Sequence, residues 1–122
     1  VDITKTVNIT AQVQTPVIAP YKAPQAQDCS LADNYQWDSH IARAICMAES
    51  QGRPDAYNPL NSNGTNDAGL FQINSIHVIS GLIGDQERFD PIKNVEAAYK
   101  IYKGSGFKAW SSYTSGAYAK YL

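Results

Sequence analysis

A carboxylic acid sits where an apolar stripe should continue. Ile41, Ile45 and Glu49 are spaced by four, and Trp37 and Ala48 extend the same helical stripe. Glu49 therefore lies on the face that an amphipathic helix turns toward its core. A carboxylate in that position is unfavourable unless it is paired or neutralised. Desolvation disfavours the charged form and raises the pKa. That is the condition for an acid that donates a proton near neutral pH. A helix-terminal Glu that bonds Arg53 or reaches solvent would fit the same spacing, and spacing by itself leaves both readings open.

The element that carries Glu49 must be a helix running from about residue 35 to 50. Asp33 or Asn34 is placed to cap its start, and Gly52 and Pro54 supply its stop. Cys46 lies on this helix and Cys29 precedes it. Their spacing matches no zinc pattern, and the two histidines do not complete one. A disulfide is the preferred reading, with two buried free thiols as the alternative. A disulfide would tie the preceding loop to the helix and imply an oxidising compartment.

After the helix, residues 53–74 are rich in Asn, Gly, Pro and Asp, with an Asn63–Gly64 pair, which predicts a small antiparallel excursion with tight turns. A short helix is predicted over 75–83, ending near Gly84. Ile92, Val95, Ala98 or Tyr99, and Tyr102 form a second helical stripe closed by Gly104, and a last aromatic-rich helical segment follows. Residues 1–28 read differently. Val7, Ile9, Ala11 and Val13 alternate, and Pro16, Pro20 and Pro24 recur every four residues. Proline at that spacing favours extended chain. This divides the chain into an extended arm or linker, 1–28, and one domain, 29–122.

The chain has 122 residues, 43% hydrophobic and 17% charged, enough for one domain with its own core. A net charge of −1 and a pI of about 6.1 give no basic footprint, which argues against nucleic acid as a partner. No apolar run reaches the length of a membrane span. Asn63–Gly64 lies in a run that lacks the acidic ligands of a calcium loop, so it reads as a plain turn. Asn8-Ile-Thr is a glycosylation sequon only in a host that glycosylates. His77 reads as a packing or surface residue. Of the eight tyrosines and two tryptophans, most are assigned to the core and some to sugar stacking.

Taken together, Glu49–Ser50, Pro54–Asp55–Ala56 and Gly69–Leu70–Phe71–Gln72–Ile73 resemble the soluble lytic transglycosylase domains of the lysozyme-like superfamily. Asp90, Pro91, Asn94 and Val95 resemble that family's Asp-Pro-x-x-Asn-Ile helix. Its closing motif keeps Tyr113 and Gly116 but has Thr114 where Asn is usual. The run Thr65-Asn-Asp-Ala-Gly-Leu-Phe-Gln-Ile-Asn-Ser75 is also similar to c-type lysozymes, and Asp67 falls on their second carboxylate.

The resemblance implies an α+β, mostly helical, lysozyme-like fold with a small β excursion and a substrate cleft. It implies cleavage of the β-1,4 bond between N-acetylmuramic acid and N-acetylglucosamine in peptidoglycan, without metal or cofactor. Glu49 would be the general acid. Ser50, Gln72 and Asn74 would line the site, Gly69 would let the backbone approach the sugar, and Tyr113 would bond Glu49. With one Glu alone the expected product carries 1,6-anhydro-muramyl ends; with Asp67 as a second carboxylate, water could complete a hydrolysis. A non-catalytic peptidoglycan-binding module is the remaining alternative. The expected setting is extracytoplasmic, with peptidoglycan glycan strands as the partner. A monomer is expected, tethered to a secretion, conjugation or virion assembly.

Overall fold

The computed structural model describes residues 26–122. The expected arm lies outside the described residues except for its last three, which open a 3-10 helix over Ala26–Asn34. Helix α1 spans Ser39–Ser50. A three-stranded antiparallel sheet follows, in the order β1 (Tyr57–Asn58), β2 (Asp67–Ala68), β3 (Ile73–Asn74). Tyr57 faces Ala68 across the first pair, and Asp67 faces Asn74 across the second. Helix α2 is a short turn, Ile76–Ile79, and α3 spans Pro91–Ser105. The chain then closes through a 3-10 turn at Phe107–Ala109, a four-residue helix α4 at Ser111–Thr114, and a 3-10 turn at Ala117–Tyr121. This is the mostly helical α+β architecture expected from the sequence.

The boundaries differ from expectation for local reasons. The cap of α1 is Asp38, whose carboxylate accepts the Ile41 N–H at 3.2 Å; Asp33 instead pairs with Arg43 at 3.2 Å. Trp37 therefore precedes the helix. It packs among Phe71, Tyr99, Tyr102 and Phe107, with ring centroids 5.3–5.8 Å away. Its indole N–H donates to the Ala32 carbonyl at 2.7 Å. Two left-handed residues end α1, the cap Gln51 at φ 60° and then Gly52 at φ 78°. The helix expected over 75–83 is cut to one turn, because Gly81 takes a φ of 85°. Helix α3 runs through Gly104 and stops at Gly106, φ 72°. Its start follows the sequence: Asp90 accepts the N–H groups of Ile92 and Lys93, with Pro91 in the first turn.

Ile45, Leu70, Phe71, Ile73, Val95 and Trp110 fill the core between α1, the sheet and α3. Cys29 and Cys46 form a disulfide, with Cα atoms 5.8 Å apart and 17 positions apart in sequence. A loop of that length contributes about 3 kcal/mol in the chain-entropy model. No described helix is long and apolar enough to cross a membrane.

Two buried polar side chains fasten the sheet to the helices. Asn94, fully buried on α3, donates to the carbonyls of Ala68 and Arg88 at 3.0 and 2.8 Å and accepts the Phe71 N–H at 2.8 Å. Arg88, 2% exposed, donates to the Ile73 carbonyl at 2.8 Å, to the Asn66 side-chain oxygen at 2.8 Å, and to Asp85. The turn between β2 and β3 is thereby fastened to α3 and the segment before it, and the strands on either side of it carry Asp67 and Asn74.

Candidate active site

Glu49 occupies the last turn of α1, partly buried where the helix meets the sheet and the α4 segment. Burial pushes its carboxyl above the usual carboxylate range. The negative charge of Asp67 adds to the rise, and the hydroxyl and peptide N–H of Ser112 oppose it. Of the stripe read from the sequence, Ile45 is buried, Ile41 and Ala48 are partly buried and Trp37 precedes the helix, and Glu49 closes it as a partly buried acid that keeps its proton further toward neutral pH.

Asp67 opens the other wall of the same cleft, a depression of about 200 Å³ that Glu49, Gln72, Asn74, His77 and Trp110 also line. It is held by hydrogen bonds. Asn74 Nδ2 donates to Oδ1 at 2.9 Å and Asn61 Nδ2 donates to Oδ2 at 2.9 Å. Both amides also donate to Thr65 Oγ1, at 2.9 and 3.0 Å. The network exists because the 61–65 loop closes on itself. Gly64 N–H reaches the Asn61 carbonyl at 2.9 Å, and Asn61 N–H reaches the Thr65 carbonyl at 2.7 Å. Both carboxylate oxygens of Asp67 act as acceptors, and they present one negative group of fixed orientation to the cleft.

A second depression, about 450 Å³, lies beyond Glu49 and is lined by Gln51, Arg53, Asp55 and Tyr57. Glu49 and Gln72 border both depressions, whereas Asp67 borders only the first. An elongated ligand crossing both would pass over the Glu49 carboxyl. Arg53 does not pair with Glu49; it pairs with Asp55 at 3.5 Å.

Several expected contacts fall differently. Ser50 is 4% exposed, and its hydroxyl is committed within the chain. It donates to the Cys46 carbonyl at 3.0 Å and accepts the Gly52 N–H at 3.2 Å. It shapes the end of α1 and offers the cleft no free donor. Gly69 makes a close approach, but to protein: a Cβ there would lie 2.0 Å from the Arg88 carbonyl oxygen and 2.2 Å from Asn94 Nδ2. Its φ of 85° independently favours glycine. Gln72 borders the cleft, yet its amide NH2 donates to the carbonyls of Ala56 and Gly69, at 3.1 and 2.9 Å. Those bonds hold a non-glycine residue at φ 49°. Tyr113 packs between Phe107 and Tyr118 at 5.7 and 4.9 Å and forms no hydrogen bond to Glu49 among the described residues; its neighbour Ser112 faces the acid instead.

Sequence reasoning missed Ser112, Asn61 and Arg88, and it placed His77 outside the site. His77 lines the cleft, half-buried, and desolvation holds its pKa below the usual value. An asparagine three positions before a turn glycine was the available signal for Asn61. Nothing in the charged run Asp85–Asp90 marks Arg88 as buried.

Lysozyme P of Drosophila melanogaster is 37% identical over 93 aligned residues, covering 63% of this chain and 66% of that protein. Lysozyme 1 of Musca domestica is 35% identical over 95 residues, covering 65% of this chain and 67% of that protein. The match thus spans about two thirds of these relatives' length. A family model described as "Lysozyme like domain" matches residues 30–112, the stretch that runs from the disulfide loop through α1 and the sheet to Ser112. The chain belongs to the lysozyme-like domain family.

Proposed function

We propose that this chain is a lysozyme: it hydrolyses the β-1,4 bond between N-acetylmuramic acid and N-acetylglucosamine in peptidoglycan. The observation that carries this reading is the pairing of two unlike carboxyl groups in one cleft, Glu49 raised by burial and Asp67 bridged by two asparagine amides. In this reading Glu49 protonates the glycosidic oxygen as the bond breaks. Asp67 stabilises the positive charge that develops on the sugar, directly or through a covalent glycosyl-enzyme intermediate. Water then completes the reaction, with the ionised Glu49 as base. Gln72, Asn74 and His77 border the glycan path. The similarity to two insect lysozymes supports hydrolysis over the transglycosylase route that the Glu49–Ser50 and Gly69–Ile73 motifs first suggest. That route needs only one carboxyl group, and it leaves Asp67 and its two amide partners without a task. The Cys29–Cys46 bond fits action outside the cytoplasm.

Mass spectrometry of digested peptidoglycan tests the reading. Hydrolysis leaves reducing muramic acid ends, and transglycosylation leaves 1,6-anhydro ends one water lighter. Anhydro ends would return the chain to the transglycosylase reading. Intact sacculi would favour a binding module.

A further inference from the structure

We propose that Ser112 is the positioning residue of the acid, with its hydroxyl and peptide N–H holding the Glu49 carboxyl toward the cleft. This rests on the reading of Glu49 as general acid. Ser112 Oγ is buried and has no formed hydrogen bond in the described structure. Buried hydroxyls are as a rule partnered, and this one lies on the segment that packs against α1 and lines the cleft with Glu49, whose carboxyl it approaches. The approach falls short of a formed bond, and rotation of the hydroxyl with a small shift of the carboxyl completes it.

The backbone at this position is fixed by its neighbours. Trp110 is 6% exposed and donates its indole N–H to the Phe71 carbonyl at 2.9 Å. The Tyr113 N–H reaches the Trp110 carbonyl at 3.0 Å, and the Tyr113 ring is packed on both sides. Ser112 is therefore presented from a rigid corner, and its two donors come from one residue. A hydroxyl donates more strongly to an ionised carboxylate than to a neutral carboxyl. Ser112 thus opposes the burial that raises Glu49, and it sets how far the acid is raised as well as where it points.

The test is a carbon-13 NMR titration of the Glu49 carboxyl in the full chain, read without substrate, beside the pH profile of wall cleavage. Ser112→Ala should move the Glu49 titration to higher pH. The basic limb of kcat/KM should move with it, and kcat should fall roughly tenfold at unchanged KM. Ser112→Thr, which keeps the hydroxyl, should restore both. Should the alanine variant fail to fold, Ser112→Cys, a similar volume with a weak donor, should shift the titration in the same direction. An unmoved titration in a folded Ala or Cys variant would overturn the proposal, as would a Thr variant that behaves like Ala. A wild-type protein that leaves peptidoglycan intact would overturn the catalytic role. The contact itself is read by the titration alone, so the two failures can be told apart.

Discussion

The two carboxyl groups of the cleft are held by opposite means. Glu49 stands at the end of a helix, partly buried, and that burial is the largest influence on it. Asp67 stands on a two-residue strand, and each of its oxygens accepts an amide N–H. One site withholds solvation and the other supplies a substitute for it. In the proposed mechanism the same chemical group then serves two tasks, giving up a proton and facing the sugar with both oxygens held in place. The difference comes from the elements beneath: an amphipathic helix can remove water from a side chain, and a polar loop can replace water with fixed dipoles.

The largest effect should come from breaking the helix side. Glu49→Gln keeps size and hydrogen bonding but has no acidic proton, so wall hydrolysis should fall about 10²–10⁴-fold, the usual contribution of a general acid. Lysis of purified sacculi at an undiminished rate would remove Glu49 from the mechanism. On the strand side, Asp67→Asn should lower kcat by about 10²–10³-fold through lost electrostatic stabilisation. The two sites are also coupled. With the Asp67 charge gone, one cause of the raised Glu49 pKa is removed, so the residual activity should lose its basic limb at lower pH than wild type. An unchanged limb would mean that the two carboxyl groups do not sense each other.

A finer break leaves both carboxyl groups in place. Asn74→Ala removes one donor from Asp67 and one from Thr65. Loss of one hydrogen bond to a charged group is worth about 1.5–3 kcal/mol. Part of that should appear as a fall in kcat of roughly tenfold, with little change in the pH profile. Asn61→Ala should act alike, since it mirrors Asn74 on the other oxygen. If both variants retain full activity, the amide bridge serves the loop and not the reaction.

The same contrast explains what could be read from the chain. Periodicity reports burial, so α1 and α3 were legible through Ile45, Val95 and Ala98, although Ile92, counted in the same stripe, is exposed. Asp90-Pro91 was read as part of a family motif, and the structure shows why it stands there: Asp90 caps α3. Cys29 and Cys46 were legible as a pair for want of any other partner. The polar half was not, because its contacts cross between elements. Asn94 was seen as part of a motif, but its grip on Ala68, Arg88 and Phe71 spans up to 26 positions. Gly69 was recognised as a site of close approach, yet what approaches is the Arg88 carbonyl and the Asn94 side chain. The acid's neighbour was placed one residue off, at Tyr113, because the closing segment breaks into three short turns whose facing no 3.6-residue period describes.

The smallest effect is on stability, and there the two carboxyl groups should differ in sign. Glu49 has a raised pKa in the folded state. Between its unfolded and folded values the folded chain keeps a proton that the unfolded chain has released. Stability therefore falls as pH rises through that window, and the contribution present below the unfolded value is lost above the folded one. Gln does not titrate. The Tm of Glu49→Gln should match wild type near pH 4 and exceed it by a few degrees at pH 7. Asp67→Asn should do the reverse at neutral pH. An Asn side chain has one oxygen and one NH2, and the NH2 would face the donor of Asn61 or of Asn74. One partly buried donor would be left facing another, at about 1 kcal/mol of lost stability. Thermal melts of the two variants at both pH values read this directly. If Glu49→Gln is no more stable than wild type at pH 7, burial is not what distinguishes the acid, and the contrast between the two sites fails at its source.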